Sequence, residues 1–483
     1  MKSQKFILHL SSLLIILFPF FLIKPASADL ACVFLGILYL IFCIIKKDFN
    51  DFKNNFFYFF LIIFFYININ SFFSFKPSIS FETSLPYLRL IIFIVALSFF
   101  FKKIINLKLY FYYSFLICIL ILFLGSIFQI WSGYNPWGFV PNETTRISSF
   151  FGDKLVMGSY VTRLLPLFLG IGLLLNFKKL NFFLLIISSI LVILSAERVS
   201  FAYFLICVAF YFYLSSSFKK FFYSIIFFLI IFFSLFLIFP KNYERLFVHT
   251  YNQVKESKNF LGLSYRHNLH YITAWNMFSD KKIVGQGLRA FRYLCDNPEF
   301  TVQKKIIDDH VVISPEKGYL TINPIKIHGI DHIQFLVLND KNEVILNKNI
   351  NITAGSLFKY FVDNKPQEVN KYQKIYSYYE HPNGCNTHPH NIYLQFLAEL
   401  GIVGFILFLI IFIYSLSRVI ILSKKKITKE LTKIEKCSVL TLLCIVISMF
   451  PLFPSGSYFN NWILIISYLP IGFYLYLAKD NNV

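Results

Sequence analysis

Residues 221–239 read FFYSIIFFLIIFFSLFLIF, a stretch without a single charged side chain. A helix needs roughly 20 mostly apolar residues to cross about 30 Å of hydrocarbon, so this stretch alone is nearly long enough to span a bilayer. The whole chain shares the bias, because 57% of its 483 residues are hydrophobic, 20% are aromatic and only 15% are charged. Soluble domains carry about 25% charged residues. The composition therefore excludes an ordinary soluble protein.

Eleven more segments meet or approach the same length criterion. Lipid offers the backbone no hydrogen-bond partners, and continuous apolar runs satisfy their own polar groups as helices. We therefore predict an all-α polytopic membrane protein with about twelve transmembrane helices. We interpret the first segment as a retained span, although Ala26-Ser27-Ala28 resembles a signal-peptidase site, and cleavage there stays an alternative. The predicted spans lie at about 6–23, 28–46, 55–70, 85–101, 109–129, 155–176, 180–195, 199–217, 221–239, 400–422, 438–455 and 460–478.

The short loops between these spans alternate between lysine-rich and lysine-poor sequences. The positive-inside rule places the lysine-rich loops, and with them both termini, in the cytoplasm. This topology accounts for the formal net charge of +21 without a nucleic-acid partner. The lysine-rich loops carry Lys46, Lys47 and Lys53; Lys102, Lys103 and Lys108; Lys178 and Lys179; Lys219 and Lys220; and Lys424, Lys425, Lys426, Lys429, Lys433 and Lys436.

Most of the polar sequence lies in one large loop, residues 240–399, on the outer side of the membrane by the same rule. Within this loop, about 298–380 looks like an inserted module. Residues 319–323 and 332–338 alternate or run apolar in the manner of strands, and turn-forming residues follow the second run. We therefore predict three parts: transmembrane helices 1–9 at 1–239, the loop with a small β-rich module at 240–399, and helices 10–12 at 400–483.

Two cysteines stand apart from the other six. Cys295 and Cys385 are the only cysteines in the large loop, and they bracket the inserted module. An oxidising compartment favours a disulfide between them. Two free thiols or a metal-binding pair remain the alternative, although no CxxC-type zinc spacing is present.

The segment that begins at Thr387 is the most informative candidate for chemistry. Pro389 suits a helix start, and a helix running from there would put His390 in its first turn near the outer membrane surface. Histidine is the side chain best suited to move a proton near neutral pH. A histidine that merely caps or packs is the alternative. His388 completes an HxH pair without a clear acidic partner, and Glu399 lies about half a helical circumference from His390, so we expect Glu399 to be structural.

Two arginines precede this segment in the sequence. Arg198 lies in the short outer turn between the seventh and eighth spans, where a charge is costly and marks a functional candidate. A pair with Glu197 is the alternative there. Arg266 precedes an aromatic segment and the glycine-rich turn at residues 285–288. Guanidinium groups bind two phosphate oxygens at once, so both arginines could hold a phosphate group.

The order of these motifs resembles the O-antigen ligase and O-antigen polymerase superfamily. An arginine in a short turn (Arg198) and an arginine before an aromatic helix and a glycine-rich turn (Arg266) precede the pattern His-Asn-x-Tyr-Leu-x-x-Leu-x-Glu-x-Gly-x-x-Gly that starts at His390. Residues 145–158 also resemble the family's outer-loop sequence before a span. The resemblance covers about residues 140–420, and the inserted module is larger than the family's typical loop.

The resemblance implies an enzyme of the bacterial inner (cytoplasmic) membrane with a periplasmic active site. Family members transfer a glycan from an undecaprenyl-pyrophosphate carrier to an acceptor hydroxyl. His390 would then be the catalytic base, and Arg198 and Arg266 would bind the pyrophosphate. We expect a metal-independent glycosyltransferase without a cofactor, because the first outer loop offers only Asp29 as an acidic residue. Further candidates for the substrate path are Arg89, Arg146 and Arg289, with Arg163 and Arg292.

The resemblance leaves ligase and polymerase open, and we expect an O-antigen ligase, which joins the glycan to lipid A-core. A polymerase, which extends the carrier-linked chain with another repeat unit, is the first alternative. A polysaccharide or lipid transporter is a more distant alternative, because transporters more often show paired halves with interrupted helices in matching positions.

Overall fold

Eleven helices of the described chain are long and apolar enough to cross a membrane. The computed structural model describes residues 2–140, 146–257, 265–301, 319–327, 330–338, 344–351 and 384–479. The protein is thus a multi-pass α-helical membrane protein. Its first ten helices are α1 (Lys2–Phe21), α2 (Pro25–Lys46), α3 (Asn55–Phe72), α4 (Pro77–Ser84), α5 (Leu88–Lys103), α6 (Leu107–Ser132), α7 (Met157–Leu174), α8 (Lys178–Ser195), α9 (Arg198–Ser215) and α10 (Phe218–Ile238).

Shorter elements fill the loop that follows α10. A π-helical turn at Glu244–Val248 separates the first two of its helices. Three strands pair antiparallel in the order β1-β2-β3, and Tyr319 of the first strand lies opposite Leu338 of the second. The loop elements are α11 (Pro240–Tyr243), α12 (His249–Ser257), α13 (Tyr265–Asp280), α14 (Ala290–Leu294), β1 (Tyr319–Ile327), β2 (Ile330–Leu338) and β3 (Val344–Asn351).

The predicted β-rich module at about 298–380 falls mostly outside the described residues, which leave out 302–318, 328–329, 339–343 and 352–383. The side chains of the three strands are not described either. A module with these bounds, and the division of the chain into three parts, therefore stay predictions.

Three helices follow the large loop in the described part of the chain, and the second of them corrects the sequence prediction. They are α15 (Ile392–Thr428), α16 (Lys433–Ser448) and α17 (Asn461–Lys479). The predicted span at 438–455 is wrong in its bounds, because α16 ends at Ser448, shortly before Pro451 and Pro454. Its 16 residues reach only about 24 Å. Helix α16 tolerates this length because most of its residues are buried against α7, α15 and α17.

Helix α15 is broken at Gly401, whose backbone is non-helical (φ 65°, ψ −168°). A break frees backbone groups that must find other partners inside a membrane protein. Tyr66 on α3 donates its hydroxyl to the Leu400 carbonyl at 2.5 Å. The Ile402 N–H donates to the Lys282 carbonyl at 2.8 Å. Hydrogen bonds from other segments therefore stabilise the break in the helix.

The glycine-rich turn after α13 supplies the remaining partners of this break. The N–H of Gln286 donates to the Ala398 carbonyl at 2.9 Å, and the N–H of Gly287 donates to the Glu399 carbonyl at 2.8 Å. The carbonyl of Gln286 in turn accepts from the Phe75 N–H at 3.1 Å, on the segment between α3 and α4. The turn thus ties the first part of α15 to α3 and to the large loop.

The described residues of this arrangement form two apolar clusters. A large one runs through the membrane helices, from Ile7 on α1 to Leu477 on α17. A small one lies in the large loop and joins α13, α14 and the start of α15. The small cluster contains Ala274, Met277, Ala290, Phe291, Cys295, Phe300 and Ala398. The small cluster therefore packs together the elements that carry the candidate site residues.

Candidate functional site

The segment 384–391 carries His390 immediately before α15. Asn391 is the N-cap of this helix, because its side-chain oxygen accepts from the N–H of Tyr393 at 3.0 Å and of Leu394 at 3.2 Å. The expectation that His390 lies in the first helical turn is therefore wrong, since the asparagine cap starts the helix at Ile392. His390 instead has a left-handed backbone with φ 58°. Few non-glycine residues adopt this conformation, which often marks a functional position.

Four histidine rings come together at this point. The ring centroid of His390 lies 4.2 Å from that of His388, 5.2 Å from that of His267 and 5.4 Å from that of His270. His267 and His270 are spaced i and i+3 on α13, so both project from one face of that helix. The site thus joins a segment before α15 to a helix about 120 residues earlier in the chain.

Two contacts fix the position of His390 itself. Its backbone carbonyl accepts from the Ser455 N–H at 2.9 Å. Its ring atom Nε2 lies 3.0 Å from the amide Nδ2 of Asn386. The first contact comes from the loop between α16 and α17 and the second from the same segment, so backbone and ring are held independently.

His388 has a structural role in this arrangement. Its Nε2–H donates to the Ser455 carbonyl at 3.2 Å, and its Nδ1 accepts from the Thr387 hydroxyl at 2.9 Å. Burial lowers the pKa of His388 to about 4, against the raising effect of its hydrogen bond to Ser455, and the positive charge of Arg292 acts in the same direction as burial. His388 is therefore neutral near pH 7, and both of its ring nitrogens are used in hydrogen bonds.

The entry of the segment is fixed on α13 and α14. Cys385 and Cys295 form a disulfide with their Cα atoms 4.9 Å apart. One residue earlier, the Gly384 carbonyl accepts from Nδ1–H of the fully buried His270 at 2.7 Å. The disulfide therefore joins the end of α14 to a point five residues before His390.

Arg198 lies at the first residue of α9 and faces the large loop. Its Nη1 donates to the Gln253 side-chain oxygen at 2.5 Å, and its Nε donates to the Arg245 carbonyl at 3.3 Å. About one and a half turns into the same helix, Tyr203 packs on Phe453 with the ring centroids 5.6 Å apart. Since Phe453 belongs to the loop that contacts His390, Arg198 and His390 belong to the same end of the helix bundle.

The neighbouring Glu197 has its own set of donors. Its carboxylate accepts from the Gly158 N–H at 2.8 Å and from the hydroxyls of Ser159 at 2.7 Å and Ser200 at 2.9 Å. Burial raises the pKa of Glu197, against the lowering effect of these hydrogen bonds and of the nearby Arg146. The carboxylate thus joins the start of α7 to the start of α9.

Two further arginines that the sequence predicts to bind substrate, Arg266 and Arg89, lie on different helices. Arg266 lies in the first turn of α13, the helix that carries His267 and His270, and its side chain is outside the described residues. Arg89 donates to the Asp29 carboxylate at 2.7 Å and to the Asn461 side chain at 3.1 Å. These contacts join α2, α5 and α17, so the structure gives Arg89 a role in packing.

Arg146 and Arg289 make contacts within the outer loops. Arg146 donates to the carbonyls of Ser195 at 3.2 Å and Leu155 at 2.8 Å. Arg289 pairs with Glu82 at 2.7 Å. Arg289 also has a left-handed backbone at the start of α14, one residue beyond the glycine-rich turn.

Sequence reasoning missed three members of the site: His267, His270 and Asn386. The two histidines appear in the sequence only as an i, i+3 pair in an aromatic helix, which is common in packed helices. Asn386 gives no sequence signal beyond its place beside Cys385. Glu399, expected to be structural, is 1% exposed and bonds to the Gln395 amide at 3.1 Å and to the backbone N–H groups of Arg289 and Phe291.

Fold and site together define a multi-pass membrane protein with a histidine-bearing segment where the large loop enters a membrane helix. A family model described as O-Antigen ligase matches residues 183–322 and 364–409. This part of the chain is thus similar to the O-antigen ligase family, and the predicted resemblance is confirmed. The family supports glycan transfer of the O-antigen ligase or polymerase type in general.

The matched residues contain most of the candidate site. Arg198, Arg266, both disulfide cysteines and His390 lie inside the match, whereas Arg89 and Arg146 lie outside it. No curated protein matches the chain.

Proposed function

We propose that this protein is an O-antigen ligase, which transfers a glycan from undecaprenyl pyrophosphate to a hydroxyl of lipid A-core. The observation that carries the proposal is the family match across the segment that holds His390. The contacts around this histidine support the proposal, because a catalytic group must be held in a defined geometry to be effective.

In the proposed reaction, His390 accepts a proton and the two arginines stabilise the leaving group. Nε2 or Nδ1 of His390 takes the proton of the acceptor hydroxyl, whose oxygen then bonds to the anomeric carbon of the glycan. The bond from that carbon to the carrier oxygen breaks, and the pyrophosphate leaves with the electron pair. Arg198 and Arg266 stabilise the negative charge of this leaving group, since guanidinium groups bind phosphate oxygens in pairs.

The proposed topology places this reaction at the periplasmic face of the bacterial inner membrane. Lysine-rich loops and both termini lie in the cytoplasm under the positive-inside rule, which puts the loop 240–399 and its β-rich insertion on the opposite side. A disulfide between Cys295 and Cys385 agrees with an oxidising compartment. Cysteine labelling of single-cysteine variants from each side of the membrane tests this topology.

We propose that the transfer needs no metal ion. Both ring nitrogens of His388 are used in hydrogen bonds to Thr387 and Ser455, which leaves the HxH pair without a ligand from its first member. Activity of the purified protein should be the same with and without EDTA. Loss of activity in EDTA that a divalent cation restores would contradict this part of the proposal.

The composition of lipopolysaccharide after deletion of the protein tests the ligase function. A ligase deletion should leave bare lipid A-core and accumulate carrier-linked chains. Core with a single repeat unit would instead identify a polymerase, the first alternative.

Lipid or polysaccharide export is the further alternative, and a reconstituted assay separates it from transfer. Purified protein in liposomes should form glycosylated acceptor from carrier-linked glycan without any gradient across the bilayer. Movement of the carrier-linked glycan across the bilayer without formation of this product would identify a transporter.

A further inference from the structure

Asn386 forms a short bridge between the backbone of its own segment and the ring of His390. Its side-chain oxygen Oδ1 accepts from the Thr387 N–H at 2.7 Å. Its amide nitrogen Nδ2 lies 3.0 Å from Nε2 of His390. Asn386 is also the residue after Cys385, so the disulfide with Cys295 fixes its position from the other side.

The first of these contacts decides the direction of the second. A backbone N–H only donates, so the atom of Asn386 that faces Thr387 must be the carbonyl oxygen. The atom that faces His390 is then the NH₂ group, which also only donates. Nε2 of His390 must therefore accept, and the ring is neutral with its proton on Nδ1.

We propose that Asn386 is a positioning residue that fixes the Nδ1–H tautomer of His390 and so keeps the Nε2 lone pair ready to accept a proton. This inference rests on the proposed function of His390 as the general base and names the atom that performs it. The acceptor hydroxyl replaces the Asn386 amide at Nε2 and gives its proton to that nitrogen, as its oxygen bonds to the anomeric carbon and the pyrophosphate leaves.

The same contact opposes protonation of His390 before the acceptor arrives. An imidazolium would point its Nε2–H at the amide hydrogens of Asn386, so the amide stabilises the neutral ring. The other titratable groups near His390 are His267 and His270 on α13 and His388 on its own segment. Arg292 on α14 acts electrostatically on His388, Asp296 lies beside Cys385, and Tyr271 on α13 bonds to Asn391.

An Asn386→Asp variant reverses this effect with little change in shape. The carboxylate still accepts from the Thr387 N–H, but it also accepts from a protonated Nε2 and thus stabilises the imidazolium. An opposite charge at this distance raises a histidine pKa by about 1–3 units. The matched control is Asn460→Asp at the exposed residue before α17, where the carboxylate can keep the bond from the Trp462 N–H.

The test measures the rate at which diethyl pyrocarbonate modifies His390 as a function of pH, by mass spectrometry of the purified full-length protein. Only the neutral ring reacts, so the midpoint of the profile reports the pKa of His390. We expect the midpoint to rise by at least about one unit in Asn386→Asp and by less in Asn386→Ala, which only removes the amide donor. Asn460→Asp should keep the wild-type midpoint.

Equal midpoints in the wild type and both Asn386 variants would overturn the proposal, as would an equal rise in the Asn460→Asp control. The acid limb of kcat/KM for glycan transfer provides the second readout and should move with the labelling midpoint. A shifted labelling midpoint with an unshifted rate profile would show that Asn386 controls His390 while His390 is not the base, which separates this inference from the proposed function.

Discussion

Replacement of Gly287 by alanine tests how the glycine-rich turn is held against the broken helix α15. Gly287 has φ 104°, and an added Cβ would lie 2.0 Å from Cβ of Ser74. Ordinary carbon contacts are about 3.5–4.0 Å, so the turn must move by about 1.5 Å. That movement breaks the 2.8 Å hydrogen bond from the Gly287 N–H to the Glu399 carbonyl. A buried polar group left without a partner costs about 1–3 kcal/mol.

The backbone strain adds to this loss, and a second glycine measures the strain alone. Gly138 has φ 81°, and nothing lies within 4 Å of the position of its added Cβ. Gly138→Ala should therefore lose only about 1 kcal/mol, the cost of a left-handed alanine less the gain from a stiffer unfolded chain. Gly287→Ala should lose about 2–5 kcal/mol from strain, steric overlap and the broken hydrogen bond.

Unfolding of both variants in mild detergent, titrated with sodium dodecyl sulfate, gives the two free energies of unfolding. The reasoning requires Gly287→Ala to be the less stable variant by about 1–4 kcal/mol. Equal losses would refute it, because the contact with Ser74 and the bond to Glu399 would then contribute nothing measurable.

Three further predictions concern the site and its surroundings. Burial lowers the pKa of His388 to about 4 from its ordinary value of 6.5, so the contribution of neutral His388 to stability is complete above about pH 6.5 and falls as the pH drops towards 4. The thermal unfolding midpoint of His388→Gln should therefore depend less on pH across this range than that of the wild type. An unchanged pH dependence would refute the lowered pKa of His388. Arg198→Lys and Arg266→Lys should each lose about 10- to 100-fold in kcat/KM with the carrier-linked donor, because lysine lacks the planar guanidinium group that binds two phosphate oxygens at once. Wild-type kcat/KM values for both variants would exclude a role of these arginines in binding the pyrophosphate. A non-reduced digest of protein from an oxidising periplasm should contain the two peptides joined by the Cys295–Cys385 disulfide, and finding both thiols free would contradict the bond. Reduction of this disulfide should lower the free energy of unfolding by at most about 4–5 kcal/mol in the chain-entropy treatment.

The membrane helices were largely predictable because one quantity, the length of an apolar run, decides whether a segment can cross a bilayer. The exception at 438–455 shows where this criterion fails. Apolar residues continue past Ser448, but Pro451 and Pro454 stop the helix, and burial among its neighbours makes a full-length span unnecessary. Hydropathy reports the solvent preference of a segment and carries no information on these neighbours.

The sequence predicted the site only where its residues form one short contiguous motif. The pattern from His390 to Gly404 is contiguous and readable, whereas His267 and His270 join it through tertiary contacts alone. The start of α15 was misplaced because Pro389 and Asn391 are both favourable starting residues, and the hydrogen bonds of the asparagine cap decide between them. The break at Gly401 was likewise unpredictable, because its hydrogen-bond partners come from distant segments.

Glycan transfer by the purified, reconstituted His390→Ala variant tests the central claim most directly. Loss of a positioned general base typically costs about 10²–10⁴-fold in rate. We therefore expect kcat to fall by that factor, while the unfolding midpoint and the affinity for the carrier-linked donor stay at their wild-type values. A folded His390→Ala protein that transfers glycan at the wild-type rate would contradict the assignment of His390 as the base.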